Sequence, residues 1–268
     1  MPARIACHLF MSAACLICLL GGGMVSAWAE EPAPSKILRV AVSFSIPPWV
    51  VQETDSGIEL DILRDAMDGS GYLVKPVYVP FERAFSLFNE GKVDALINAR
   101  PNSVTQGYYS DIVVYFHNVA ISLSYRDFPE ELSMSFLQNA RIVAFQRARD
   151  FLGESFAAMA LSNPNYQEVA EQRLQINLLF LRGADFIVME REIFNYYHQQ
   201  ALSDPDLTEV EHQKLGRPVK LHSLFAPTGY RFVFREEAIR DRFNEGLARL
   251  QEREAYPQLK PPAGIVER

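Results

Sequence analysis

Cysteine is almost missing from this chain: 3 among 268 residues, and all of them (Cys7, Cys15 and Cys18) fall in the first stretch. Everything downstream therefore lacks both a disulfide framework and a thiol nucleophile. Long apolar runs are scarce as well. After about residue 25 none approaches the ~18 apolar residues that a membrane helix requires. Basic charge is short, with 26 Lys+Arg against 33 Asp+Glu and a net charge of −7. That balance argues against a general nucleic-acid binder, which carries a basic face, but leaves room for a basic pocket and a small anionic ligand. Catalytic signatures are missing too. There is no G-x-S-x-G, no H-E-x-x-H and no P-loop. His117, His198, His212 and His222 stand at no metal-ligand spacing and read as solvated or internally satisfied. What is present, 49% hydrophobic and 22% charged residues, is the composition of a globular protein. The length suits one large domain or two ordinary lobes.

The single apolar run lies at the N-terminus. Arg4 precedes a stretch from Leu9 to about Val25, broken by Gly21, Gly22 and Gly23, and Ala27-Trp28-Ala29 stands before Glu30-Glu31-Pro32. A weakly basic start, an apolar middle and an A-x-A step are the parts of a secretory signal peptide, residues 1–29, with cleavage expected after Ala29. The alternatives are an uncleaved anchor, disfavoured by the short broken run, and a lipoprotein with its lipid on Cys15 or Cys18. The latter is disfavoured by Ser12-Ala13-Ala14 before Cys15, where a leucine is usual. A chain whose cysteines all leave with the signal suits an oxidising compartment.

Past the signal the hydrophobic pattern switches repeatedly between strand and helix periods. Leu38–Phe44 reads as a strand. Ile46-Pro47-Pro48-Trp49 reads as a loop, since two prolines cannot continue a central strand. A helix from Gly57 to about Met67 follows, stopped near Gly69-Ser70-Gly71, then a strand Leu73–Val79, an amphipathic helix Phe81–Asn89 and a strand Val93–Ile97. This β-α-β-α-β order predicts a parallel sheet with covering helices. Asn118–Tyr125 is a long β segment, after which the alternation restarts. A strand Arg141–Phe145, a helix Asp150–Leu161 and a glutamine-rich helix Tyr166–Leu181 are expected. A strand Ala184–Met189, a helix from Arg191 to about Gln200, an extended Val219–Leu224 and a strand Tyr230–Phe234 complete the unit. The closing helix, Glu236–Glu254, sets Ile239, Phe243, Leu247 and Leu250 in one apolar stripe. The tail from Lys260 to Gly264 reads as irregular. Two α/β units result, with no sequence repeat between them.

Six segments in this order and spacing carry a resemblance. They are LRVAVSFSIPPWV (38–50), GIELDILRDAM (57–67), EGKVDALINARP (90–101), YYSDIVVYFHNVAISLS (108–124), RGADFIVMER (182–191) and YRFVFREEAIRDRFNEGLARL (230–250). Over residues 37–257 the chain resembles the periplasmic solute-binding proteins of family 3, the polar amino-acid type of ABC-transporter receptor. The resemblance implies an α/β, two-lobed Venus-flytrap fold of type II, with the ligand cleft between the lobes. Lobe 1 would comprise 36–118 plus 225–268, and lobe 2 would comprise 119–224, with crossing strands at 118–124 and about 221–229. It implies a monomer in the periplasm that captures a small polar solute, an amino acid or related compound, and delivers it to an inner-membrane ABC permease. No cofactor, metal, nucleic acid or catalysis is expected. Two other uses of the fold stay open: a sensor input for a membrane signalling partner, and an enzyme like the cyclohexadienyl dehydratases.

The resemblance also points to site residues, and to departures from the family pattern. The family's lobe-1 arginine, which pairs with a ligand α-carboxylate, is missing from Pro101–Gly107, and Gln106 stands near its place. Arg100 and Arg83 are the available substitutes, or else solvated or internally paired arginines. Asn98 belongs to the same strand end. The family's Gly-Thr-Thr turn in lobe 2 is replaced by Phe145-Gln146-Arg147-Ala148-Arg149-Asp150, so Gln146 and Arg147 become candidate polar contacts, or a solvated loop. Glu190 occupies the place of the aspartate that receives a ligand ammonium; its other reading is a helix-start residue favoured by the helix dipole. Trp49, Phe81 and Phe44 are candidate aromatic walls or core residues, and one of Tyr115, Phe116 and His117 is expected at the cleft. Asp94 and Asp185, both at strand starts in the "GKVDA" and "RGADF" steps, read as structural.

Overall fold

The computed structural model describes residues 36–43 and 46–260. The signal-peptide, anchor and lipid readings, Phe44 and the tail beyond Lys260 lie outside the described residues. Among those described, no helix is long and apolar enough to cross a membrane.

The first lobe opens with β1 (Lys36–Ser43), α1 (Ile58–Ala66), β2 (Tyr72–Val79), α2 (Phe81–Asn89), β3 (Ala95–Ala99) and β4 (Tyr108–Phe116). The second holds β5 (Asn118–Leu123), α3 (Met134–Leu137), β6 (Ile142–Phe145), α4 (Ala148–Phe151), α5 (Glu154–Ser162) and β7 (Tyr166–Val169). It continues through α6 (Arg173–Phe180), β8 (Phe186–Glu190), α7 (Arg191–Leu202), α8 (Glu209–Leu215) and β9 (Val219–His222). The chain then returns to the first lobe as β10 (Thr228–Phe234) and α9 (Glu237–Glu252).

Each lobe is built on a five-stranded sheet. The orders are β2-β1-β3-β10-β4 and β7-β6-β8-β5-β9. In both, three parallel strands are followed by an antiparallel strand that has just arrived from the other lobe: β10 beside β3, and β5 beside β8. The alternation of strand side chains divides the core. Val40 and Val42 of β1 and Ile187 and Met189 of β8 belong to one large cluster that reaches through both lobes by way of Val113, Val114, Val119 and Ile121. On the opposite faces, Phe156, Phe186 and Val188 fill lobe 2, and Ala41, Phe88 and Val233 fill lobe 1. The stripe on α9 is buried throughout, and α9 lies so close to α1 that a Cβ on Gly246 would stand 1.8 Å from the Ala66 carbonyl oxygen. Only glycine fits there.

Four expectations need correction. Tyr166–Val169 is a strand, paired in parallel with β6 from Ile142↔Tyr166 to Phe145↔Val169, and the helix begins only at Arg173. The tyrosine and valine serve an edge strand better than a helix, and the Asn163-Pro164-Asn165 turn before them marks its start. The 150–161 helix is two helices, because Gly153 at φ +92 separates α4 from α5. A nine-residue strand that the periodicity does not separate, β4, precedes β5, so the outward crossing is made at His117 between two strands, not by a crossing strand at 118–124. The return runs through 223–227 between β9 and β10, not along one strand at 221–229.

Candidate functional site

Among the described residues, several that touch across the lobes lie at the C-terminal ends of parallel strands. Trp49 follows β1, Phe81 and Glu82 follow β2, and Arg100 follows β3. Opposite them, Arg147 and Phe151 follow β6, and Glu190 ends β8. Open α/β sheets hold ligands at these strand ends.

Trp49 is placed by the local chain. Its N–H donates to the Ile46 carbonyl at 2.9 Å, and its own carbonyl accepts from Glu59 N at 3.0 Å. Gly57 at φ +123 makes this possible, since a Cβ there would lie 2.6 Å from the Trp49 oxygen. The buried indole stacks on Phe116 (centroids 4.7 Å apart), and Phe116 in turn meets Tyr230 at 4.7 Å. Of the trio before the crossing, Phe116 thus joins the aromatic group. Trp49 Nε1 donates to Glu190 Oε2 at 3.1 Å, which ties the two lobes together.

Glu190 is 2% exposed and fully engaged. Its Oε2 also accepts from Glu192 N (2.7 Å) and Ile193 N (3.0 Å), capping α7, and its Oε1 accepts from His117 N at 3.3 Å. Burial pushes its carboxyl up, against the pull of these donors. The helix-start reading of Glu190 is what the structure shows: it caps α7 where the lobes meet, with both oxygens already accepting N–H groups.

A second group of contacts lies around Phe151. The Arg100 guanidinium sits 4.7 Å from that ring's centroid and the Arg147 guanidinium 5.3 Å. Phe81 meets the ring edge-on at 6.2 Å. Arg147 is left-handed (φ 66), its backbone N–H is fixed by Glu168 Oε2 at 2.6 Å, and its side chain pairs with Asp150 at 3.0 Å and, across the lobes, with Glu82. The remaining candidates are not brought in. Arg83 pairs with Glu90 at 2.8 Å along α2, while Gln106 and Gln146 are exposed on their loops. Asp94 and Asp185 hold equivalent strand starts. Arg39 N donates to Asp94 Oδ2 at 2.8 Å, and Arg141 N donates to Asp185 Oδ2 at 2.9 Å.

Asn98 leads to a residue that the sequence reading passed over. It is left-handed at φ 58, a conformation asparagine tolerates better than most, and it interrupts the alternation of β3. Its Nδ2 donates to Glu59 Oε2 at 2.8 Å. Glu59 is 0% exposed, and Glu59 Oε1 and Asn98 Oδ1 are both buried without a partner. Burial pushes the Glu59 carboxyl up to about 8. Tyr230, also raised by burial, feels Glu59 on one hand and Arg100 on the other. The signal for Glu59 was its place in α1, since it shares a face with Ile62, Leu63 and Ala66, all buried. Among the described residues, no group of three or more His, Cys, Asp or Glu could hold a metal ion. The arrangement is suited to binding a polar group between aromatic faces and to closing over it.

No protein-family model and no curated protein matches the sequence. Solved structures do match. One is a histidine kinase sensor domain with similarity to periplasmic binding proteins, 17% identical over 88% of this chain and 99% of that one, with a TM-score of 0.63. Another comes from work on glutathione import in Gram-positive bacteria via GshT and the cystine ABC importer TcyBC of Streptococcus mutans. It is 15% identical over 82% of this chain and 91% of that one, with a TM-score of 0.63. A third is the ancestral amino acid-binding protein AncCDT-1, a precursor of cyclohexadienyl dehydratase, 16% identical over 83% and 93% with a TM-score of 0.58. At these identities the likeness establishes the fold: this chain has the two-lobed architecture of the periplasmic binding proteins.

Proposed function

We propose that this chain is an exported solute receptor of the family-3 type, which binds a small polar solute between its lobes in the periplasm and presents it to an inner-membrane ABC importer. It acts by binding, not by catalysis. The observation that carries this reading is the facing of the two sets of parallel-strand ends, with Trp49–Glu190 and Arg147–Glu82 already bridging them. A ligand that contacts both lobes would shift an open–closed equilibrium toward the closed form. The missing family arginine argues for a ligand other than an ordinary α-amino acid read through its carboxylate. A sensor input for a signalling partner would use the same ligand site, and likeness to a histidine kinase sensor domain keeps that use in view. Glu59 favours a further reading, elimination chemistry of the dehydratase kind, because burial raises its carboxyl to about 8, within reach of acid–base work.

The test is a thermal-shift screen of the purified chain against amino acids, organic acids, polyamines and small peptides, with recovery of any ligand found. Binding to the folded state raises the midpoint by mass action. One class raising it by several degrees, with the compound recovered unchanged, is expected. A chemically altered compound would move the assignment to the enzyme, and silence across every class would sink the receptor reading.

A further inference from the structure

A buried polar group without a partner is rare in a folded protein and costly, because it has lost water and gained nothing in exchange. Here two such atoms belong to one hydrogen-bonded pair. Asn98 Nδ2 satisfies Glu59 Oε2 at 2.8 Å, and the pair is left with Glu59 Oε1 and Asn98 Oδ1, which have no other partner. With Glu59 ionised both are acceptors, and what the pair then lacks is donors. It lies at the C-terminal end of β3 and the N-terminus of α1, and Glu59 N is bonded to the carbonyl of Trp49, whose indole ties the lobes together. The carboxylate of lobe 2 at the cleft, Glu190, has no such vacancy, since both its oxygens already accept N–H groups.

We propose that the Glu59–Asn98 pair is the recognition element of the interlobe site and that it takes a primary ammonium group, with one N–H to each unpartnered oxygen. This rests on the reading of the cleft as a solute site and names the ligand class for it. An ammonium carries three donors and no acceptor, and it suits both the free oxygens and the aromatic faces of Trp49, Phe116 and Tyr230 nearby. The ammonium is read from lobe 1, by an acid and an amide. Glu59 is 0% exposed and Asn98 6% exposed. The ionisable groups around the pair are Tyr230 on β10 and Arg100 after β3, the latter drawn over Phe151 of lobe 2.

Binding carries a proton ledger. Without ligand, burial keeps Glu59 protonated below about pH 8. The ammonium requires the carboxylate, so the Glu59 proton passes to solvent as the amine binds. The experiment is titration calorimetry on the purified chain with putrescine, cadaverine, spermidine and lysinamide, set beside succinate, citrate, glucose and acetamide, at several pH values and in two buffers of different ionisation enthalpy. Trp49 fluorescence follows the lobes. An amine is expected to bind with release of close to one proton near pH 6.5, its affinity rising about tenfold per pH unit toward pH 8 and levelling above. Glu59→Gln, checked for an unchanged fold by its melting transition, should weaken that amine at least ~30-fold and remove the pH dependence. Amine binding without proton release or pH dependence in the unaltered chain overturns the assignment to Glu59. Binding of the acids or neutral compounds alone overturns the ammonium class and leaves the cleft reading standing. No binding by any compound overturns both.

Discussion

The two lobes repeat one sheet order, yet each brings a buried carboxyl to its strand ends in opposite condition. Glu190 in lobe 2 accepts four N–H donors, from Trp49, His117, Glu192 and Ile193. Glu59 in lobe 1 accepts one and leaves an oxygen with none. Burial raises both carboxyls, but only at Glu59 does it run nearly unopposed. The contrast separates architecture from recognition. A saturated carboxyl holds the chain that surrounds it; an unsaturated one is held by its surroundings and keeps its bonding capacity for something else. Family position alone had pointed to Glu190 as the ligand residue, and hydrogen-bond accounting points to Glu59.

The comparison breaks most visibly at Glu190. Truncation in Glu190→Ala removes the cap of α7 and strands three backbone N–H groups and an indole in a buried place. We expect a loss on the order of 3–5 kcal/mol, from the cap and from the unsatisfied donors together. Urea unfolding measures it, as a lower midpoint at constant slope. A loss below about 1 kcal/mol would show that water replaces the carboxylate and that the saturation seen here does not matter to stability.

A subtler difference separates the two acids in their pH response. The folded-state carboxyl of Glu59 is raised from an ordinary 4.5 to about 8. A raised acid contributes stability in full below its unfolded value and loses it as pH climbs through the folded one. Between those values the folded state holds one more proton than the unfolded, a slope of about −1.4 kcal/mol per pH unit. His117 and His222 are held below their ordinary values and are neutral above pH 7, so they leave this window clear. The ligand-free chain should lose about 1 kcal/mol from pH 7 to 8, where the folded carboxyl itself begins to ionise, and then level by pH 9. Glu59→Gln should flatten that segment. An equal slope in the variant would assign the titration to Glu190 instead.

How far this was legible beforehand depends on whether the signal was local. The strand starts were legible. The "GKVDA" and "RGADF" steps each place an aspartate whose N–H and carboxylate exchange hydrogen bonds with Arg39 or Arg141, and both were read as structural. Strand and helix order over residues 38–97 of lobe 1 was legible too, since those elements are clearly periodic, but β4 was not, because its apolar end runs almost directly into β5. Lobe 2 was harder, because a four-residue edge strand such as β7 is too short to show a period and its pairing with β6 is a tertiary fact. At the site, Trp49 was found through its loop, whereas Glu59 looked like an ordinary acidic first turn. Arg83 and Arg100 were indistinguishable as free arginines. Only the fold reveals that Glu90 claims one and that Phe151 of the opposite lobe receives the other.

The smallest effect is expected at the exposed edge of the lobe contact, where Arg147 reaches Glu82. Both side chains are well solvated, at 47% and 72% exposure, so the pair resembles any surface ion pair in stability terms. Arg147→Ala retains a left-handed non-glycine residue and should move global stability by no more than ~1 kcal/mol. Yet Glu82 and Arg147 lie on different lobes, so their coupling acts on closure and not on folding. A double-mutant cycle with Glu82→Ala, read by ligand affinity and by Trp49 fluorescence, should give a coupling of about 0.2–1 kcal/mol. Screening by salt should reduce it further, because both charges face solvent. A cycle that couples in the melting transition but not in ligand affinity would place the pair within the folding of one rigid unit. The contrast between the two acids would then be a difference between two packing environments, with no part in opening and closing.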